Sequence, residues 1–413
     1  MDGVGGGVEG QIITSKYTYA NLSNESVGFM DVPTDVMLED SRTLKDFKVQ
    51  VLGGYSKIQV LASFDKAIKE EKCDHALYWC IQMLCSGGAV AMWERLIGIS
   101  AKYINLLNPN LPSYLMARTR EFNKIVSQLR YKGDSCLSLR NNGDIRVLLA
   151  EFTIICATSR HGKLESLPTI KKTDFMVEVF KGRLEAKDTT LSGEYMKPED
   201  PSEIRIAGNE LAFHLHHHNL NKALYWLSWI CEWAKLNTKK YGKFEIGIRA
   251  QNDIDAKFYR LWCWLPWNII VGLARRTAGT QLNSEIVALW ELYKLDFTSS
   301  HCSRKQFLMI WAMKLLCQPC DWKIKLIERE PLLFKHLMNI NAFFKTVKTQ
   351  CQALGGGATG GAFNIVIQDN YKKPPAQQQA SARQPKASKP KIPEMTDSMR
   401  KQQTLFSLDK YSL

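Results

Sequence analysis

The sequence predicts an all-α protein, built from two related helical units and followed by a disordered basic tail. Three observations carry that expectation. Between residues 45 and 354, apolar side chains recur mostly at helical spacing. The string Ala-Leu-Tyr-Trp occurs twice, at positions 76–79 and 223–226, each time behind a helix-like segment. Beyond Gly355 the composition turns to Gly, then to Pro, Gln, Ala and Lys. Such a stretch buries too little apolar surface to offset the entropy of ordering it.

Residues 1–44 are Gly-rich and then polar, with weak alternation in IITSKYTYANL. They predict a flexible N-terminal segment with room for one short strand. Residues 45–160 form the first helical unit. LASFDKAIKEE puts Leu61, Phe64 and Ile68 at helix spacing. DHALYWCIQMLCSGG carries a wide stripe of Leu77, Tyr78, Cys80, Ile81 and Leu84, opened by Asp74 as N-cap and stopped at Gly87-Gly88. VAMWERLIGISAKYINLLNP reads as one helix ended by Asn108-Pro109. LPSYLMARTREFNKIVSQL follows, with Pro112 near its first turn, and DIRVLLAEFTIICATS continues the helical run.

Residues 161–204 are polar and predict a partly ordered linker. The second unit, 205–354, opens with GNELAFHLHHHNLNKALYWLSWICEWAKL. Four more helices are expected from DIDAKFYRLWCWL, SEIVALWELYKL, SRKQFLMIWAMKLLC and PLLFKHLMNINAFFKTVKTQ. The repeated string predicts a duplicated helix pair, in which each unit buries its apolar face against a neighbour. Residues 355–399 are the disordered basic linker. Residues 400–413 close on an apolar cluster, a layout suited to a docking peptide or to an end that folds back on its own domain.

The chain has 413 residues, a 45 % hydrophobic content and a net charge of +14. That is enough apolar material for a sizeable core, and the charge suits phosphate backbones or anionic membranes. The start, MDGVGGGVEGQ, has no basic and apolar leader pattern, so the eleven scattered cysteines read as buried free thiols in a reducing, intracellular compartment. The richest apolar stretch, Leu261 to Ala274, is too short to span a bilayer and is flanked by Arg260, Arg275 and Arg276. A buried helix broken at Pro266 is the expectation there, and no membrane partner is expected.

The motifs present predict no catalytic centre, no metal and no cofactor. GxxxxGK[ST] is absent, and the glycine runs GVGGGVEGQ and GGGATGG lack the Lys that meets the β/γ-phosphates. Cys317 and Cys320 form a CxxC without a second pair at zinc spacing, so they read as core thiols. His214, His216, His217 and His218 cluster before the second Ala-Leu-Tyr-Trp, and His214 and His218 share a helix face. Without HExxH they read as a polar helix shoulder. G-x-S-x-G is absent too, and the acidic pairs Glu70-Glu71 and Glu199-Asp200 look solvated.

Trp226, Trp229, Trp233, Trp262, Trp264 and Trp267 crowd the second unit, among Lys239, Lys240, Lys243, Arg249, Arg260, Arg275 and Arg276. Aromatic platforms beside cations hold single strands. The helical spacing of Trp226, Trp229 and Trp233 favours core instead, and both readings stay open at this point. Lys235, Lys239, Lys240 and Lys243, with Arg275 and Arg276, are the candidates for nucleic-acid phosphates, because they need no burial.

Two segments resemble known families. FDKAIKEEKCDHALYWCIQMLCSGG with LIGISAKYINLLNPNLPSYLMA resembles the helical collar of clamp-loader-related AAA+ ATPases of the MgsA/RarA and Werner-helicase-interacting type. Ala76, Leu77, Tyr78, Trp79, Met83, Leu84, Gly87, Gly88 and Asn108-Pro109 match, as do Phe64, Lys66, Ala67 and Ile68 upstream. Ala89-Val90-Ala91 stands where that family has E-D-P. Ala101-Lys102-Tyr103-Ile104-Asn105 stands where it has S-E-D-I-G, and the ATPase module is missing. The likeness covers about 60 residues of the chain. It implies a collar-like first unit with an oligomerising or docking role and no ATP.

Separately, KQQTLFSL resembles the clamp-binding box of proteins that dock on PCNA-like sliding clamps. Gln402 and Leu405 match, Phe406 is a partial substitute for the usual aromatics, and Leu408 and Asp409 occupy their places. Together the resemblances imply a non-enzymatic DNA replication or repair accessory factor in a nucleus or a viral replication compartment. Its tail would dock on a sliding clamp through Gln402, Leu405, Phe406 and Leu408, and its body would hold a protein partner, a second copy or DNA. The alternative is a structural scaffold, such as a DNA-virus core component, that binds nucleic acid by charge.

Overall fold

In the computed structural model, the described residues are 14–19, 28–33, 37–38, 40–128, 133–277 and 279–353. The first helices are α1 (Lys57–Lys69), α2 (Cys73–Cys85), α3 (Ala89–Ile99), α4 (Leu111–Gln128), α5 (Gly143–Thr158) and the short α6 (Val177–Lys181). Next come α7 (Ser202–His216), α8 (Leu220–Tyr241), α9 (Trp264–Thr277) and α10 (Thr280–Lys294). The last are α11 (His301–Arg304), α12 (Gln306–Cys317), α13 (Glu330–Met338) and α14 (Ile340–Ala353). The all-α expectation holds, with one addition. Strands β1 (Thr14–Tyr19) and β2 (Gly28–Pro33) form an antiparallel hairpin that pairs Thr14 with Pro33 and Tyr19 with Gly28.

The repeated string marks a repeated fold. Each copy lies on the second arm of a helical hairpin, α1–α2 and α7–α8, and the two hairpins turn in the same way. In the first, the Lys72 N–H donates to the Ala67 carbonyl (2.9 Å) and the Glu71 N–H to that of Ile68 (3.0 Å). In the second, the Asn219 N–H donates to His214 (2.8 Å) and the His218 N–H to Leu215 (3.1 Å). This double bond pattern is the Schellman ending, which needs a left-handed residue one place past the helix. Glu71 and His218 supply it, both at φ 55° and both five residues before the repeated alanine.

The likeness extends beyond the hairpins. In each half a late helix is buried all round: α5 from Ile145 to Thr158 and α12 from Leu308 to Cys317. A helix apolar on every side can only be a central one. Accordingly α1, α2, α3 and α4 surround α5, while α7, α8, α9 and α10 surround α12. The fourth helices of the two halves, α4 and α10, then pack on each other.

The described residues cluster as one compact unit. α13 and α14 follow the second half in sequence yet pack on α5 and α2 of the first. Arg146 holds them there, donating to Asn341 Oδ1 (3.0 Å) with its guanidinium 4.8 Å from the Phe344 ring centre. The polar stretch 161–204 is a strap. Trp229 Nε1 donates to the Asp174 carbonyl (3.1 Å), Ser228 Oγ donates to that of Pro168 (2.7 Å), and Tyr195 is buried. Gly272 leaves room for the Tyr195 ring; a Cβ there would overlap it. Gly272→Ala is therefore expected to cost about 1–3 kcal/mol by overpacking, read as a lower midpoint in chemical denaturation.

Several element boundaries differ from the sequence expectation, each for a local reason. The helix expected over 90–109 ends at Ile99, and a π-helical turn (Ser100–Ile104) and a 3₁₀ turn (Asn105–Leu107) follow. The helix expected from Asp253 starts only at Trp264, since Asp253 takes a left-handed φ of 65° in a turn. Pro266 does not break α9, because it falls in the first turn, where no N–H is needed. Asn339 splits the last expected helix into α13 and α14. Residues 37–56, partly assigned to a flexible start, carry buried Leu38, Phe47, Val51 and Leu52.

Candidate functional site

α1 has two working faces. It starts with a capping box, in which Ser56 Oγ accepts the Gln59 N–H (3.2 Å) and Gln59 Oε1 accepts the Ser56 N–H (3.1 Å). Val60, Phe64, Ala67 and Ile68 are buried against the core. The opposite stripe, Ile58, Leu61, Ala62, Asp65, Lys66 and Lys69, keeps the same three- and four-residue spacing but lines an open groove of about 550 Å³. Leu61, which the sequence places at helix spacing with Phe64 and Ile68, belongs to this second face and is only half-buried.

The far wall comes from Arg95 on α3 and from Lys102 and Tyr103 on the π-helical turn. Four cations thus line the groove against one carboxylate. Arg95 and Asp65 hold each other, Nε donating to Oδ1 at 2.8 Å and the second guanidinium nitrogen bonding Oδ2. Lys66 lies 3.6 Å from Glu70. The Lys69 and Lys102 ammoniums sit 4.8 and 5.1 Å from the Tyr103 ring centre, with no carboxylate partner among the described residues. Ile58 is 82 % exposed at the groove's edge.

The turn that presents Lys102 and Tyr103 is locally unusual and firmly held. π-Helical turns are rare and concentrate at functional positions. Asn105, directly after it, has φ 36°, a conformation that costs a non-glycine residue about 1–3 kcal/mol and persists only where its surroundings impose it. The surroundings are visible. Asn105 Nδ2 donates to the Ala101 carbonyl (3.2 Å), and its Oδ1 accepts the Leu106 N–H (2.8 Å). The Leu164 N–H donates to the Lys102 carbonyl (3.1 Å). Asn108 Nδ2 donates to the carbonyl of Leu326, and Asn110 Nδ2 to that of Ile324, both at 2.9 Å. The segment beyond α12 therefore buttresses a wall of the groove.

The cations expected to meet phosphates are placed elsewhere. Lys235 and Lys243 carry carboxylate partners, Glu232 at 2.6 Å and Glu245 at 3.4 Å. Arg276 bonds Glu194 at 2.5 Å and lies 5.5 Å from the Tyr195 ring centre. Lys239 and Lys240 are exposed in the last turn of α8, where cations also complement the helix dipole. Arg275 is exposed at the end of α9, on a different helix. Gln402, Leu405, Phe406 and Leu408 lie outside the described residues.

No family model, curated protein or solved structure matches this chain. Burial divides the tryptophans. Trp226, Trp229, Trp264 and Trp267 are core, each under 2 % exposed, so none of the four offers a free face for stacking. Trp233 and Trp262 are half-buried, and Trp233 stacks on Trp229.

The histidines diverge. His214 is buried with Nε2 3.4 Å from Glu210, whose carboxylate accepts the N–H groups of Glu185 and Ala186. His216, His217 and His218 are exposed, and His218 Nδ1 pairs with the Leu316 carbonyl (2.9 Å). Among the described residues no three His, Cys, Asp or Glu side chains gather as metal ligands would. Burial pushes the Cys317 and Cys320 thiols up to about 12 and about 11, so both stay protonated near neutrality. No described helix is long and apolar enough to cross a membrane.

One acidic expectation is reversed. Glu199 is exposed, but Asp200 is fully buried on Arg249, at 2.6 Å and 2.8 Å to the two guanidinium nitrogens. Adjacent carboxylates in a charged run looked solvated because a buried guanidinium 49 residues away is invisible locally. The groove was missed for the same reason. Lys66, Lys69, Lys102 and Tyr103 stand in the sequence, but their convergence is a tertiary fact.

Proposed function

We propose that this protein is a non-enzymatic accessory factor of DNA replication or repair. Its C-terminal residues Gln402, Leu405, Phe406 and Leu408 dock on a sliding clamp, and its helical body holds nucleic acid. The observation that carries the second half of this reading is the α1 groove, where Lys69 and Lys102 stay without a carboxylate partner among the described residues while Arg95 pairs with Asp65 and Lys66 with Glu70. Four cations against the two carboxylates Asp65 and Glu70 leave a surplus of positive charge that phosphate oxygens satisfy. The net charge of +14 extends that attraction over the whole chain. Tethering through a tail raises the local concentration of the body at the clamp without a large interface. A second copy of the chain is a further partner in this reading, by likeness to a collar.

A purified sliding clamp should capture the full chain. A chain lacking residues 400–413 should be captured at least tenfold less; unchanged capture would overturn docking through the tail. DNA binding should weaken as salt rises, with a log–log slope of about −2 to −3 for three or four phosphate contacts. A flat slope would exclude phosphate-dominated contact. Binding to DNA without any capture by a clamp favours the scaffold reading, in which charge alone holds the nucleic acid.

A further inference from the structure

We infer that the α1 groove is a binding site for an unpaired DNA strand, with Tyr103 as the stacking face and Lys69 and Lys102 as the phosphate partners. The inference rests on the nucleic-acid reading above and names the kind of strand that fits.

Two features separate a single strand from a duplex. The first is the chemistry of the two walls. On α1, Ile58, Leu61 and Ala62 make an apolar strip. Facing it, the π-helical turn supplies an aromatic ring and an ammonium. A duplex presents phosphates and sugars at its surface and keeps its base faces inside the stack, so it has nothing for the apolar strip or the ring. An unpaired strand offers both at once, phosphates for the cations and base faces for the apolar and aromatic surfaces.

The second feature is the arrangement around Tyr103. Lys69 from α1 and Lys102 from the turn approach one ring from the two sides of the groove. Each ammonium is now satisfied by the ring's π-electrons. A phosphate is a stronger partner for both. When one enters, the ammoniums move to its oxygens and uncover the ring for a base. The turn is pinned by Asn105, by the Leu164 N–H and by the contacts of Asn108 and Asn110. The backbone that carries the ring is therefore set before the strand arrives, and less ordering is required on binding.

The test uses the full chain and fluorescence anisotropy with a labelled 20-nucleotide oligo-dT and a duplex of equal length. The single strand should bind about tenfold more tightly than the duplex. Tyr103→Ala should weaken the single strand by about tenfold, the loss of one stacked base, and leave the duplex unchanged. Tyr103→Phe keeps the ring and should bind as the unaltered chain does. This conservative variant separates stacking from any damage to the turn. The exposed double variant Lys69→Glu with Lys102→Glu should lose at least tenfold and flatten the salt slope by about 1 to 2. Equal or tighter binding of the duplex overturns the inference, as does oligo-dT binding indifferent to both Tyr103→Ala and the double variant. If the groove variants are silent while the tail still captures a clamp, the groove assignment falls and the accessory role stands. If deletion of 400–413 leaves clamp capture intact while the groove variants behave as expected, the reverse holds.

Discussion

Asp200→Ala is expected to destabilise the helical body by about 3–5 kcal/mol, the usual consequence of stranding one member of a buried ion pair. Arg249 would be the stranded partner. Its guanidinium bonds both Asp200 oxygens and also donates to the Tyr195 (2.8 Å) and Gly247 (2.9 Å) carbonyls. Asp200 in turn accepts the N–H groups of Lys197 (2.8 Å) and Gly247 (2.9 Å). One carboxylate thus pins the strap before α7 to the loop after α8. Burial by itself would raise the Asp200 carboxyl, but the Arg249 hydrogen bonds and the two N–H donors outweigh it and hold the carboxyl below its usual value.

The sign of the pH effect follows from that direction. A carboxyl depressed in the folded state contributes stability that is present above its unfolded pKa, about 3.9, and is lost as pH falls through the folded value. Chemical denaturation at pH 7 and at pH 3 reads both effects. The alanine variant should be much weaker than the parent at pH 7 and closer to it at pH 3. A variant as stable as the parent at pH 7 would show that the pair is not holding the strap.

Glu285→Gln should do the opposite and strengthen the protein near neutrality. Glu285 lies on α10 and its Oε2 accepts the Ser113 N–H (2.8 Å) in the first turn of α4, across the contact between the two halves. Burial pushes its carboxyl up to about 7, and the bonds from Ser113 offset only part of that. The folded state therefore holds this proton more tightly than the unfolded chain does. Stability from this site is full below the unfolded pKa and falls as pH rises between about 4.5 and 7. Above that window the folded protein carries a penalty on the order of 3 kcal/mol. Glutamine has no charge to bury and keeps an oxygen for the Ser113 N–H. At pH 8 it should recover about 2–3 kcal/mol, and at pH 4 almost nothing. A difference between the two proteins that does not change with pH would remove Glu285 as the cause.

The helical hairpins were legible because they rest on local rules. Apolar patterning along the chain marked α2, α4, α5 and α10 as helices, and the repeated Ala-Leu-Tyr-Trp string marked two hairpins that turn alike, through Glu71 and His218. Local rules also misplaced what depends on surroundings. Helix spacing put Leu61 with Phe64 and Ile68, but α1 carries two stripes and Leu61 lies on the groove side. The helix expected through residues 100–109 has good local pattern, but Asn105, Asn108 and Asn110 take hydrogen bonds that hold the chain in a turn. The tryptophans of α8 and α9 carried no label of their own. Burial of Trp226, Trp229, Trp264 and Trp267 decided for core.

Periodicity and composition by themselves determined a helical body, a duplication and a change of character beyond Gly355, because each is a property of neighbours along the chain. Only the tertiary structure decided that the two halves share one body through α4 and α10, that α13 and α14 return to the first half, and that Lys69 and Lys102 meet over Tyr103. Those outcomes depend on which faces find each other across a hundred or more residues, or across a turn whose shape distant hydrogen bonds impose. Side-chain spacing within a helix carries no information about the partner it will meet.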